Sequence, residues 1–313
     1  MKRIVILFAA GVLGLGAIVL AASMAIAEGA LHRPPLPASA GSESIPEGLA
    51  ARAKGGANSV TVQAADGITL SGWWLAPENR SPAVLHPPAA VIVLHGIGDT
   101  RKGASGHAGY LLDAGYFVLL PDSRAHGKSG GEMVTYGLLE REDVRRWVVW
   151  IRRQGIEQVY EIGVSMGAAT LLQSLHGARF QAVVAESPFS CFPEIARQRV
   201  FGLRAISMSA LLYAKLRYGF DLAAACPETT IREDGGRTPV LLIHGTDDLN
   251  IPIAHSRRLR YAASIPLPLW EVKGAGHVEA LSRAYAEYTH RVLRFFAENS
   301  GPRLPAVSFE HRR

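Results

Sequence analysis

The chain has 313 residues, of which 48% are hydrophobic and 19% are charged, and its formal net charge is +6. This composition can bury a large core and excludes a disordered, collagen-like or coiled-coil chain. The basic residues form no long run of the kind that nucleic-acid binding uses. Two cysteines, Cys191 and Cys226, are too few for a disulfide scaffold or a four-cysteine zinc site. We expect them to be small buried hydrophobic side chains, although an oxidising compartment would permit one bridge.

The N-terminal segment, residues 1–28, predicts a membrane anchor or a signal peptide. Lys2 and Arg3 precede an uncharged run at 4–27, which would measure about 36 Å as a helix and could cross a bilayer. This length favours an uncleaved anchor, whereas Ala25-Ile26-Ala27 fits a signal-peptide cleavage site and would give a secreted protein. A buried core helix is disfavoured because the run is apolar on every face. The basic start predicts that the remaining chain is extracytoplasmic, either periplasmic or at the cell surface.

Residues 29–58 are rich in proline, glycine, alanine and serine and predict a tether. A folded domain is expected at 59–299, followed by a tail at 300–313. Strands are predicted at 59–64, 68–76, 89–94, 116–121, 158–163, 180–186, 239–244 and 267–272. Helices are predicted at 138–154, 166–176, 254–263 and 279–298.

The alternation of strands and helices predicts an α/β fold with a mostly parallel, doubly wound sheet. Asp66-Gly67 lies between the first two strands and indicates a hairpin. Residues 187–238 are too many for an ordinary connection between two strands, so we expect an inserted helical cap there.

A nucleophilic serine is indicated by Gly163-Val164-Ser165-Met166-Gly167, which fits the Gly-x-Ser-x-Gly turn between a strand and a helix. The chain holds a second match, Gly127-Lys128-Ser129-Gly130-Gly131. Ser165 stands between a predicted strand and a predicted helix, whereas Ser129 stands in a polar loop. The context therefore favours Ser165.

A serine nucleophile needs a base and an acid that orients the base, and in this architecture they follow in the order Ser, acid, His. His277 lies in a glycine-rich loop after the last predicted strand, where it can reach Ser165. Asp248, four residues after the end of the preceding strand at His244, is the favoured acid. Asp247 is the alternative, and Glu186 is a more remote one.

The oxyanion of such a reaction is held by backbone N–H groups. The residue after the nucleophile and the loop after the third strand normally supply them, which here predicts Met166 and Ile97. His95 is expected to support that loop by hydrogen bonding. Asp122 and His126 could suggest a metal site, but no cluster of ligands at metal-binding spacing accompanies them, so we expect neither a metal nor a cofactor.

These motifs together resemble the alpha/beta-hydrolase superfamily, and within it bacterial membrane-tethered enzymes of the serine-aminopeptidase-like and esterase-like branch. The likeness covers about residues 59–299 and includes Leu94-His95-Gly96, the loop 122–131, the Ser165 turn, the segment 244–248 and Gly276-His277. It implies the alpha/beta-hydrolase fold, the catalytic triad Ser165, Asp248 and His277, and a structural role for the loop 122–131. Ala125 departs from the glycine or arginine that relatives often carry there.

The predicted activity is a serine hydrolase that cleaves carboxylic esters, thioesters or small amides through an acyl-enzyme, with no nucleic-acid partner. The alternatives are a serine aminopeptidase, which would need an acidic group such as Glu186 near the substrate amine, and a catalytically silent binding module at the membrane.

The cap carries apolar residues at helical spacing, which we expect to pack on the sheet or, in part, to line an acyl pocket: Phe189, Phe192, Phe201, Leu203, Ile206, Met208, Leu211, Leu212, Tyr213 and Leu216. Its basic residues are expected to form a solvated face rather than to contact lipid headgroups: Arg197, Arg199, Arg204, Lys215 and Arg217.

Overall fold

The structure, a computed structural model, describes residues 2–32, 44–78, 87–200 and 202–301. Its strands are β1 Gly56–Gln63, β2 Thr69–Ala76, β3 Ala89–Leu94, β4 Phe117–Pro121, β5 Gln158–Val164, β6 Val183–Glu186, β7 Val240–Gly245 and β8 Leu269–Val272. Its helices are α1 Lys2–Leu31, α2 Glu47–Arg52, α3 Arg101–Ala104, α4 Ala108–Asp113, α5 Glu140–Arg153, α6 Met166–Gln173, α7 Phe192–Arg199, α8 Arg204–Tyr218, α9 Pro227–Asp234, α10 Ala254–Arg260, α11 Ala280–Arg283 and α12 Tyr285–Glu298.

The strands form one sheet in the order β1-β2-β4-β3-β5-β6-β7-β8. β2 runs antiparallel to both β1 and β4, and all other neighbours are parallel. The predicted mostly parallel sheet is therefore confirmed. The hairpin at Asp66-Gly67 is confirmed as well, because Gln63 pairs with Thr69 across it.

The central strands are continuous apolar runs because helices cover both faces of the sheet. In β3, Val91 and Val93 face the core that α4 and α12 cover, whereas Ala90 and Ile92 face the core under α5, α6, α9 and α10. Successive side chains of a strand point to opposite faces, so one apolar strand serves both cores. This packing places the carboxyl ends of β3, β5, β6 and β7 along one edge.

Some element boundaries differ from the predicted ones. The strand predicted at 180–186 begins only at Val183, where pairing with both Glu161 and Val240 starts. The helix predicted at 279–298 is divided at Ala284, whose φ of −137° is incompatible with a helix. The predicted tether, residues 29–58, includes the end of α1, all of α2 and the start of β1. Residues 33–43 of the tether and 302–313 of the tail lie outside the described residues.

The predicted cap segment supplies α7, α8 and α9. α9 packs against α6 and α10, and α7 packs against α8. α8 also packs along α1, so the end of α1 joins a third apolar core that contains Leu31, Phe192, Ala214 and Ile251. Among the described residues, α1 alone is long and apolar enough to cross a membrane, over Leu13–Leu31.

The expectation of two unpaired cysteines is wrong, because a disulfide joins Cys191 to Cys226. These residues directly precede α7 and α9, and the two helix starts lie side by side. Hydrogen bonds on both sides hold them there: the Phe192 amide donates to the Ala225 carbonyl at 2.8 Å, and the Glu228 amide donates to Ser190 at 3.1 Å.

Candidate active site

Ser165 lies at a sharp turn between β5 and α6, with φ 53° and ψ −117°. A positive φ is costly for a non-glycine residue, and the flanking glycines make the turn possible. A Cβ at Gly163 would lie 2.6 Å from the Ala168 amide nitrogen, and one at Gly167 would lie 2.6 Å from the Leu94 carbonyl oxygen. Only glycine fits at either position. The turn therefore holds the Ser165 side chain at the carboxyl edge of the sheet.

Three polar side chains from separate loops meet at this edge. His277 Nε2 lies 2.9 Å from Ser165 Oγ, and His277 Nδ1 lies 2.8 Å from Asp248 Oδ2. The other Asp248 oxygen accepts hydrogen bonds from the amides of Asn250 and Ile251, each at 2.9 Å. When Nδ1 donates to Asp248, Nε2 becomes the acceptor for the Ser165 hydroxyl proton. The structure thus brings together the three residues that the sequence predicted.

Asp248 is held as a carboxylate by its surroundings. Burial alone would raise its pKa, but hydrogen bonds from His244, His277 and the Ile251 amide outweigh burial and hold the pKa well below its ordinary value. His244 Nε2 lies 3.2 Å from Asp248 Oδ2, and His244 Nδ1 lies 2.7 Å from Ser256 Oγ. Asp248 is therefore ionised at neutral pH and can stabilise a positive charge on His277.

The two alternative acids occupy different environments. Asp247 is exposed, and its carboxylate accepts a hydrogen bond from the neighbouring Thr246 hydroxyl at 2.8 Å. Glu186 is buried, and its Oε1 accepts a hydrogen bond from the Ala280 amide at 3.0 Å. Burial raises the pKa of Glu186 to about 7. Glu186 thus fastens the start of α11, just after His277, and neither alternative contacts the imidazole.

Two buried histidines fix the loop that approaches Ser165. His95 Nε2 accepts a hydrogen bond from the Ser123 amide at 3.0 Å, and its Nδ1 lies 2.7 Å from the Gly96 carbonyl oxygen. His126 Nε2 accepts a hydrogen bond from the Gly98 amide at 3.2 Å. Burial, reinforced by the neighbouring His126, lowers the pKa of His95 to about 4, which keeps the ring neutral. The loop 96–98 is therefore held on both sides of Ile97, as expected for His95.

Ser129, the other serine in a Gly-x-Ser-x-Gly match, takes part in backbone hydrogen bonding. Its hydroxyl donates to the Asp122 carbonyl at 2.7 Å and accepts from the Ser71 amide at 2.9 Å. The Asp122 carboxylate accepts from the amides of Arg101 and Lys128, each at 2.8 Å. These contacts give the loop 122–131 the structural role that the resemblance implied.

An apolar cavity of about 510 Å³ lies beside Ser165, a volume typical of small-molecule sites. Its walls come from α1, the loop after β3, the segment before α5, the start of α6, the cap and the loop before α10: Ile26, Ala27, Gly29, Ala30, Ile97, Tyr136, Ser165, Met166, Phe189, Phe192, Ile195, Ala196, Arg199, Val200, Ser207, Ala210, Leu211, Leu222 and Ile251. The predicted oxyanion residues, Ile97 and Met166, are among them. None of the described lining residues is acidic.

The apolar residues of the cap divide between the cavity and the surface. Phe189, Phe192 and Leu211 line the cavity, whereas Leu203, Met208, Leu212 and Leu216 are exposed. Phe201 lies outside the described residues. Part of the stripe therefore lines a pocket, as expected, whereas those four exposed residues do not pack on the sheet domain.

The sequence reasoning missed the four cavity residues of α1 and the role of His244. A signal for the first was present, because Glu28 is a lone carboxylate in an apolar helix and such groups are usually paired. No comparable sequence pattern marks His244. Its contact with Asp248 depends on the conformation of the loop that follows β7.

Among the described residues, one group of possible metal ligands converges, namely Cys191, Cys226 and Glu228. The two sulfurs are bonded to each other, so neither is available as a thiolate ligand. Asp122 and His126, the pair that could have suggested a metal, are both hydrogen-bonded within their loop: the Asp122 carboxylate accepts from the Lys128 amide, and His126 Nδ1 lies 2.8 Å from the Arg124 carbonyl oxygen.

Comparisons with known proteins agree with this fold. A family profile for the alpha/beta hydrolase fold matches residues 89–205. The uncharacterized protein YqkD of Bacillus subtilis is 29% identical over 251 residues, which are 75% of this chain and 77% of YqkD. The Pyrococcus furiosus esterase Pf2001 superposes with a TM-score of 0.66 at 25% identity and covers 86% of this chain and 99% of the esterase.

The acylaminoacyl peptidase of Pyrococcus horikoshii superposes with a TM-score of 0.61 at 16% identity, over 81% of this chain and 43% of the peptidase. This last likeness concerns the fold alone. The sheet order, the family profile and the esterase structure together define the fold: the chain has the alpha/beta-hydrolase fold. It is similar to the alpha/beta-hydrolase superfamily, and the solved structures of this fold that it resembles include an esterase and a peptidase.

Proposed function

We propose that this protein is a serine hydrolase that cleaves carboxylic esters or thioesters with an apolar acyl group. The observation that carries the proposal is the hydrogen-bonded chain Asp248–His277–Ser165 at the wall of the apolar cavity. A nucleophile, a base and an orienting carboxylate are the groups that acyl transfer to serine requires. The cavity then supplies the space for the acyl chain.

Ser165 Oγ attacks the substrate carbonyl carbon while His277 Nε2 takes the hydroxyl proton. The oxyanion that forms accepts hydrogen bonds from the backbone amides of Ile97 and Met166. His277 returns the proton to the departing alcohol or thiol, which leaves an acyl ester on Ser165. A water molecule then gives its proton to His277 and attacks that ester, and His277 finally reprotonates Ser165 as the carboxylic acid leaves. Asp248 stays ionised throughout and stabilises the imidazolium.

The peptidase alternative is less well supported. An aminopeptidase would need an acidic group beside the site for the substrate amine, and Glu186, the candidate, is buried against the Ala280 amide and does not line the cavity. Small amides can enter the same reaction, but nothing among the described lining residues would hold a free amine by charge.

We further propose that α1 anchors the enzyme in a membrane and that the catalytic domain is extracytoplasmic. The positive residues Lys2 and Arg3 precede the apolar part of α1, as in a chain whose N-terminus stays in the cytoplasm. The disulfide between Cys191 and Cys226 supports this orientation, because such bonds form and persist in oxidising compartments.

The test is hydrolysis by the full-length protein in detergent of p-nitrophenyl esters with acetyl to octanoyl chains, beside aminoacyl p-nitroanilides. The proposal expects ester turnover that disappears in Ser165→Ala and persists in the matched control Ser129→Ala. Faster cleavage of the anilides would favour the peptidase. No turnover of either series by protein that binds these compounds would favour the binding module.

A further inference from the structure

The end of the N-terminal helix contributes to the cavity beside Ser165. Ile26, Ala27, Gly29 and Ala30 of α1 line it, on the same wall as Ser207 and Leu211 of α8. A signal peptide cut after Ala27 would lose Ile26 and Ala27 from the wall and leave Gly29 close to a new chain end. The cavity is thus built with residues from both sides of the predicted cleavage point.

Several contacts fasten this part of α1 to the domain. The Glu28 carboxylate accepts hydrogen bonds from the hydroxyls of Tyr213 and Tyr218, each at 2.7 Å. On the opposite side, the Tyr136 hydroxyl donates to the Ala30 carbonyl at 2.9 Å. Leu31 is fully buried, and its carbonyl accepts from the Val134 amide at 2.9 Å. A helix that served only as an anchor would need none of these contacts.

We propose that the last two turns of α1 form the acyl-binding wall of the enzyme, so that the anchoring helix also limits the length of acyl chain that Ser165 accepts. This inference rests on the proposed function and adds the residues that determine its specificity. Because the α1 residues that line the cavity are apolar, the part of the acyl group that contacts them is a saturated or otherwise apolar chain.

Gly29 offers a direct test. A Cβ added there meets no atom within 4 Å, and its φ is outside the range that only glycine tolerates, so a larger side chain fits the helix and extends into open space. Gly29→Leu adds an apolar side chain at a position that lines the cavity. Each methylene displaced from an apolar site costs about 0.8 kcal/mol, or about fourfold in kcat/KM.

The matched control is Gly16→Leu, at another open position of the same helix that does not line the cavity. Gly29→Leu should lower kcat/KM for octanoyl esters about tenfold or more, by the fourfold per methylene above, and leave acetyl esters nearly unchanged. Gly16→Leu should change neither. Ile26→Ala should act in the opposite sense and raise activity on chains longer than the wild-type limit.

The outcomes separate the two proposals. If the wild type hydrolyses no ester, the proposed function fails whatever the variants do. If the wild type is active and Gly29→Leu and Ile26→Ala both keep its chain-length profile, α1 is not the wall and this inference is overturned. Fluorophosphonate labelling of each variant shows whether Ser165 remains reactive, which distinguishes a narrowed pocket from a misfolded protein.

A second inference comes from the outer face of α8. Met208, Leu212 and Leu216 lie four residues apart and are 57%, 56% and 77% exposed. Arg204 and Lys215 lie beside this apolar stripe and are also exposed. A row of exposed apolar side chains flanked by basic ones is the pattern of a helix that lies in a membrane interface.

The position of α8 relative to α1 agrees with a membrane partner. Ser23 Oγ lies 3.3 Å from the Ile206 carbonyl oxygen, and Glu28 binds Tyr213. α8 therefore runs beside the last turns of α1, which has 30 residues and measures about 45 Å. A hydrocarbon core of about 30 Å needs about 20 of these residues. When the first part of α1 spans the membrane, its last turns and α8 lie at the level of the headgroups.

We infer that the apolar stripe of α8 docks on the lipid bilayer, with Arg204 reaching the phosphates. Lys215 Nζ lies 2.7 Å from Asp221 Oδ2 and is already ion-paired. The test uses full-length protein reconstituted in vesicles of phosphatidylcholine and phosphatidylglycerol, labelled with a fluorophore at Leu212→Cys. The matched control is Val149→Cys on α5, another exposed apolar position whose helix packs against the sheet side. Vesicles with brominated acyl chains should quench most of the fluorescence at position 212 and little at 149.

Equal quenching at both positions would overturn this inference. A label at 212 that is shielded from water but not quenched by brominated lipid would show that a second copy of the chain, rather than the bilayer, covers the stripe. That result would overturn it as well.

Discussion

Asp248→Asn is the change that most sharply separates the proposed triad from a chance cluster of polar groups. Asp248 Oδ1 accepts from the amides of Asn250 and Ile251, so an asparagine there keeps its carbonyl oxygen toward those amides. Its NH₂ group then faces His277 Nδ1, at the 2.8 Å position now held by Oδ2. Because a donor cannot accept a proton, Nδ1 must become the acceptor and Nε2 must carry the proton. The imidazole is then unable to take the proton of Ser165.

The expected loss in kcat is about 10⁴-fold, which corresponds to about 5 kcal/mol of transition-state stabilisation. KM should change little, since Asp248 does not line the cavity. The assay is ester hydrolysis in the full-length protein, with Asp247→Asn as the matched control because the side chain of that neighbour is exposed and accepts its hydrogen bond from Thr246. A loss of less than tenfold at Asp248, or an equal loss at Asp247, would refute the assigned role.

Three further predictions concern location, pH and the disulfide. The full chain should sediment with membranes and resist salt extraction, whereas a soluble protein that begins at Glu28 would show a cleaved signal. Because burial raises the pKa of Glu186 to about 7, the folded state keeps a proton that the unfolded chain loses above pH 4.5, so stability falls as the pH rises to 7. Glu186→Gln should remove about 2 kcal/mol of the fall between pH 5 and pH 7 in denaturant unfolding, and an unchanged pH dependence would contradict this. Reduction of Cys191–Cys226, which closes a loop with a sequence separation of 35, should lower the free energy of unfolding by about 2–4 kcal/mol, and a Cys191→Ser/Cys226→Ser variant should match the reduced protein.

The sheet and the Ser165 turn could be predicted from sequence because their causes are local. Apolar runs of strand length between helical segments fix a parallel sheet, and the glycines around Ser165 are needed by the turn itself. His277 could be found because its loop follows the last strand, and parallel strands end at one edge. Asp248 could be separated from Asp247 only by position along the chain, whereas the structure separates them by burial and by hydrogen bonds.

The cavity wall that α1 contributes was missed. Glu28 indicated that the helix has a polar partner, but which residues it meets depends on contacts between residues far apart in sequence. The bond from Tyr213 to Glu28 joins groups 185 residues apart, and no periodicity in either helix reports it. The sequence left the disulfide open as the less favoured alternative for the same reason, since the pairing of two cysteines depends on how the starts of α7 and α9 meet. The apolar composition of α1 indicated that it could cross a membrane, but only the packing shows that it also lines the cavity and binds Tyr213.

The most direct measurement of the central claim is the site of covalent modification by a fluorophosphonate. Full-length protein is treated with the probe, digested and analysed by mass spectrometry, beside Ser165→Ala and Ser129→Ala. The account predicts an adduct on the peptide that contains Ser165, its loss in Ser165→Ala and its retention in Ser129→Ala. An adduct on any other serine, or labelling that survives Ser165→Ala, would contradict it.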